Sequence, residues 1–135
     1  LAILLKYFTY QEFDCPYSRY DETGYKYMDR EFLMMLDQAR HLCKLKFKII
    51  KGYVSPDGQV RKNELNNSSH LIGRACEILC QHNYKRYRII TSLLEVGFTR
   101  IAFADDRIYV DNDDLKPDSI WHYRVVNKKF YINAI

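Results

Sequence analysis

Between Tyr84 and Asp111 the apolar residues change their spacing, and that change limits the folds open to this chain. From Tyr84 to Val96 the positions Tyr87, Ile90, Leu93 and Leu94 recur at intervals of three and four, the repeat of a helix with one buried stripe. Gly97 follows, where a glycine ends a helix by taking the left-handed conformation that other residues avoid. Beyond it, "RIAFA" and "RIYVD" read as two strands joined by a tight turn at Asp105 and Asp106. A helix that leads through a glycine into a hairpin calls for a sheet that the helix covers.

The remaining segments extend that plan. From Asp29 to Cys43, the residues Phe32, Met35, Leu36, Ala39 and Cys43 form a second helical stripe, with Asp29 as its cap. "KFKII" alternates as a short strand and leads through "KGYVS" to a turn at Pro56, Asp57 and Gly58, then to a polar loop ending at Asn67. In "HLIGRACEIL" the residues Gly73, Ala75 and Glu77 fall at period two, which suits a strand with one face open to close approach; a helix from Leu71 to Cys80 fits the same letters. "IWHYRVV" and "KKFYI" make a last pair of strands around Asn127. The order predicts an α+β domain with two main helices on a small antiparallel sheet. A chain of 135 residues suits one such domain over 1–135, with 124–135 a candidate C-terminal extension.

Composition narrows the partners. A hydrophobic fraction of 47% with 12 tyrosines belongs to a packed domain, and the net charge of +4 is dispersed. Basic clusters at Lys44, Lys46 and Lys48 and at Lys85, Arg86 and Arg88 are answered by the acidic run from Asp105 to Asp114, which argues against nucleic acid as a partner. "LAILL" before Lys6 is far shorter than the ~20 residues of a membrane span. It also lacks the features of a signal peptide, so the expectation is cytoplasmic synthesis with no transmembrane segment. Cys15, Cys43, Cys76 and Cys80 form no CxxC pair and read as reduced thiols, and Cys76, Cys80 and His82 match no common zinc-finger spacing.

Several segments, in order, carry a resemblance. "YFTYQEFDC" looks like an F-x-x-x-E-F segment, "KGYVS" stands in the place of an "SGYRS" strand end, and "NSSHLIGRACEI" lies on S-x-H-x-x-G-x-A-x-D. "LLEVGFTRIAFADDRIYVDND" is similar to "L-L-x-x-G-F-x-R-I-G-I … F-I-H-V-D", and "IWHY" to a closing W-x-Y. Together they resemble the zinc D-alanyl-D-alanine carboxypeptidase and endopeptidase family, peptidoglycan metallopeptidases whose fold is shared with the hedgehog signalling domain. The resemblance implies a catalytic zinc with three protein ligands and one position for a water that the metal acidifies.

Position by position, the implied site is altered. His70 matches the first ligand, and Ser68, Gly73 and Ala75 keep the motif's frame. Glu77 replaces an aspartate, and its extra methylene moves the oxygens well beyond the roughly 0.2 Å within which ligand distances hold. Tyr109 stands in place of the third ligand, a histidine, and tyrosine with a pKa of about 10 is a poor ligand at neutral pH. Asp111 keeps the acidic partner, and Asp111 or Asp106 is the candidate base. Val54 replaces the substrate-binding arginine, Lys51 replaces a serine, and Ser68 and Val54 mark the substrate side. His122 is a candidate replacement ligand. Substitutions fall on functional positions and spare the scaffold, so the expectation is a non-catalytic domain with a structural or binding role, holding no cofactor. In it His70 and Glu77 bond directly to each other. Its partners are then other protein subunits of an assembly such as a phage virion. The alternative is an active or weakly active zinc-dependent peptidoglycan D,D-carboxypeptidase or endopeptidase with altered ligands, acting on peptidoglycan peptides.

Overall fold

The structure, a computed structural model, describes residues 3–62, 64–126 and 130–133. The elements in order are α1 (Thr23–Tyr27), α2 (Arg30–Cys43), β1 (Ile49–Lys51), α3 (Pro56–Lys62), β2 (Ala75–Leu79), α4 (Asn83–Glu95), β3 (Arg100–Phe103), β4 (Arg107–Asp111), β5 (Ser119–Val126) and β6 (Phe130–Asn133). Short 3-10 turns at Tyr10–Phe13 and Ser69–Ile72 complete the set.

Helix α2 begins where Asp29 leaves the helical region and accepts the Phe32 amide at 2.8 Å, as its cap position requires. The chain leaves α4 through Gly97, whose φ of +109 lies in glycine territory. Phe32, Leu33, Leu36 and Ala39 of α2 and Ile89 and Leu93 of α4 meet Cys76, Ile78, Ile101, Ile108 and Val110 of the sheet in one core. The buried stripe of α4 is rotated from the expected one: Tyr87 is 70% and Leu94 42% exposed. The flanking arginines explain this, since Arg86 donates to the Ala104 and Asp105 carbonyls and Arg88 to the Cys43 carbonyl, which fixes the helix about its axis.

The sheet has six strands in the order β1-β2-β4-β3-β5-β6, giving the α+β architecture with two main helices. Its pairs are antiparallel except one: β3 and β5 run parallel, Ala102 opposite Trp121. The wholly antiparallel expectation fails there for a topological reason. β4 returns antiparallel to β3, so it finishes beside the start of β3, and the 112–118 connection passes that end before β5 sets out in the same direction. The segment from Pro56 is also not a turn but helix α3. The Ser55 hydroxyl accepts the Gly58 amide at 3.1 Å, and proline is at home in a first helical position, where no N–H is needed. "RACEIL" resolves as strand β2 after a 3-10 turn. Asn127, the expected turn between β5 and β6, lies outside the described residues.

No helix among the described residues is long and apolar enough to cross a membrane. Replacing Asp29 by alanine removes one cap and is expected to cost about 1 kcal/mol, whereas Leu36→Ala opens the core and is expected to cost about 2 to 5 kcal/mol, both read from urea unfolding curves.

Candidate functional site

Strand alternation divides the sheet into two faces. One carries the core; the other collects Ala75 and Glu77 from β2, Tyr109 and Asp111 from β4, Ala102 from β3 and Trp121 from β5, which lie side by side in register. The 3-10 turn bearing His70 lies against this second face, with the imidazole edge-on to the Tyr109 ring at 5.6 Å. Thus three of the positions singled out from the sequence, His70, Glu77 and Tyr109, do come together.

Backbone contacts hold His70 in place. Its amide donates to the Ser68 hydroxyl at 3.2 Å, its carbonyl accepts the Val54 amide at 3.1 Å, and its Nδ1 lies 2.8 Å from the Gly52 carbonyl. The motif glycines serve this packing. Gly73 has φ of +71, and a Cβ there would lie 2.0 Å from the Tyr27 carbonyl oxygen; a Cβ on Gly52 would lie 2.6 Å from Phe13 Cα. Ser69 ties the same turn to the end of β4, donating to Asp113 at 2.7 Å and accepting from Lys116 at 2.9 Å.

The direct bond expected between His70 and Glu77 is not made. A carbonyl only accepts, so Nδ1 carries the proton and the lone pair of the neutral ring is on Nε2, which is buried without a hydrogen-bond partner. Burial, followed by the nearby Lys51 ammonium, holds the imidazole below the usual histidine range. Glu77, 1% exposed, instead receives the Arg107 guanidinium at 3.2 Å and the Tyr123 hydroxyl at 3.4 Å. The reason is reach: Arg107 lies on the same face of the adjacent strand and brings a full positive charge, which a neutral imidazole does not.

Tyr109 is turned to another task. Its hydroxyl donates to Asp111 at 2.5 Å, and burial, then the Asp111 charge, push the phenol well above its ordinary range, so it stays protonated. Asp111 is fully buried and also accepts from Arg100 Nε at 2.8 Å and from the Asp113 amide at 3.0 Å. Asp106 lies at the turn, 43% exposed at its side chain, with both oxygens on the Arg107 guanidinium at 2.8 and 3.0 Å. Glu64 pairs with Lys51 and accepts from Ser68 at 2.5 Å. Burial opposes the Glu64 charge, but His70, Lys51 and these bonds outweigh it and keep its carboxyl below the usual range.

The positions that the resemblance gives to zinc ligands are engaged in different ways. His70 presents a suitable lone pair, with its Nδ1–H bonded to a carbonyl as metal-binding histidines often are. Glu77, however, is held by a guanidinium, Tyr109 keeps its proton, and Lys51 adds a second cation beside the ring. No group of three or more His, Cys, Asp or Glu side chains among the described residues is arranged to hold a metal. Val54, 3% exposed, contributes its amide and an apolar wall, and Ser68 caps the turn. His122 packs on Phe103 at 5.3 Å on the opposite face from Trp121, away from His70.

A cleft of about 190 Å³ adjoins this cluster, with Tyr17, Ile50, Lys51, Tyr53, Glu77 and Arg107 among its lining residues. The sequence reading missed Arg107, Glu64 and Tyr123. For Arg107 a signal was present: in "RIYVD" it shares the period-two face of Tyr109 and Asp111, and it stands where the resembling motif has phenylalanine.

Asp113 offers a pH readout of the anchored turn. Burial acts against its charge, but Ser69, the Leu115 amide and Lys116 prevail and lower its pKa. A lowered folded value means that its stabilisation is complete above the unfolded value of about 3.9 and fades as the pH falls through the folded one. Ser69→Ala is therefore expected to cost about 1 kcal/mol at pH 7 and to flatten the loss of stability below about pH 4, in urea titrations at stepped pH. No family model matches the chain, and no curated protein is significantly similar to it.

Proposed function

We propose that this chain is a non-catalytic relative of the zinc D-alanyl-D-alanine peptidases, with a structural or binding role inside a larger protein assembly such as a virion. The observation that carries the reading is Tyr109. It occupies the place of a ligand, yet its hydroxyl is committed as a donor to the buried Asp111. A phenol kept protonated in that way offers a metal only the weakly basic lone pairs of a neutral hydroxyl, not the phenolate that would bind it firmly. Asp111 is fully buried with three donors upon its oxygens, so the carboxylate is turned to these partners rather than toward a water in the cleft.

The cleft supports the binding side of this reading, since Tyr17 and Tyr53 give it aromatic walls beside the charged residues Lys51 and Arg107. The active-peptidase alternative has one observation in its favour, the buried Nε2 of His70 with no partner, which is how a ligand nitrogen would look before its metal binds.

Incubation of the purified chain, supplied with zinc, with peptides ending in D-alanyl-D-alanine distinguishes the two. Mass spectrometry is expected to find no released D-alanine above a blank. Zinc-dependent release that vanishes in His70→Ala would sink the non-catalytic reading.

A further inference from the structure

A carboxylate as deeply buried as Glu77 keeps its charge only beside a cation or several strong donors. Arg107 supplies a cation from β4 at 3.2 Å. Lys51 supplies another from β1, where it stands opposite Glu77 in the strand register while paired with Glu64, whose side chain is 7% exposed. The two positive charges therefore balance the two buried negative ones. Asp106, a second carboxylate on Arg107, is partly open to solvent and depends less on such help.

We propose that Arg107 and Lys51 are a built-in substitute for a metal ion: their fixed charges neutralise Glu77 and Glu64, so that this face of the sheet forms from the chain alone. A dication brought to the same place would be repelled by both side chains, and it would have to take Glu77 from a guanidinium that already holds it. The inference uses the resemblance to say where a metal would lie, and it rests on the reading that no zinc-dependent reaction takes place there.

Urea unfolding of the full chain tests it. The midpoint is expected to be the same after exhaustive chelation and in a tenfold excess of zinc. Arg107→Met is expected to lower the midpoint clearly, Asp106→Asn to change it little, and the double variant Arg107→Met/Glu77→Gln to recover most of the loss, because it removes both members of the pair. If Arg107→Met fails to fold, the double variant is still expected to fold, and its failure overturns the charge pairing. A midpoint unchanged in Arg107→Met also overturns it, as does one raised by stoichiometric zinc in the unaltered chain but not in His70→Ala. Peptide cleavage that does not depend on zinc, without any effect of zinc on stability, would overturn the non-catalytic reading and leave this inference standing.

Discussion

Glu77 lies on β2, next to the strand at one edge of the sheet, with almost no access to water, and the arrangement of its face follows from the need to keep that charge. Isolated in an apolar medium, an ionised carboxylate is costly enough that it would give up its charge or prevent folding. The chain meets the cost from three strands at once: Lys51 on β1 stands opposite, Arg107 on β4 makes the ion pair, and Tyr123 on β5 adds a hydroxyl at 3.4 Å. Tyr123 approaches from beyond β3, where the buried side chain on its face is Ala102, and its ring packs with Ala102 and with Ala104 just past the strand. Larger residues at either position would fill the space its ring needs. These two small residues and the charge on β2 are thus parts of one arrangement.

The scaffold was the more legible half of the sequence, because its signals are local. Asp29 before an apolar stripe, Gly97 after one, and alternation in "RIAFA" and "RIYVD" each act within a few residues, and the corresponding elements are present. What escaped the reading depends on distant partners. Ser55-Pro56-Asp57-Gly58 opens a turn or a helix with equal ease, and the choice fell to α3. The parallel pairing of β3 with β5 is set by the path of the 112–118 connection, which no periodicity records. The rotation of α4 depends on carbonyls at Cys43 and Ala104 that its own sequence does not contain.

The site was legible as a set of neighbours and illegible as a set of bonds. The resemblance implied that His70, Glu77 and Tyr109 are neighbours, and the turn before β2 and the pairing of β2 with β4 bring them side by side. The partners were decided by charge and reach. A neutral imidazole cannot compete with a guanidinium for a buried carboxylate, and a phenol beside Asp111 finds an acceptor nearer than any other. The motif glycines have a plain explanation of this kind too: Gly52 and Gly73 are required where backbones meet Phe13 and Tyr27, whatever the cluster does chemically.

The bond between Tyr109 and Asp111 also bears on how the sequence is free to change. Asp111 is fully buried between β2 and β3, opposite Ala75 on one side and Arg100 on the other, and each of its donors is fixed by something else. Arg100 stacks on Trp121 at 5.1 Å, and the Asp113 amide belongs to the loop that Ser69 and Lys116 secure. A residue at 109 that cannot donate would leave a buried acceptor short by one bond, a loss of about 1 to 3 kcal/mol where whole domains are stable by roughly 5 to 15. Substitution at either position alone is therefore penalised, while a matched change at both need not be. The pair is thus free to change only together, and position 109 is constrained by its neighbour without any chemistry being asked of it.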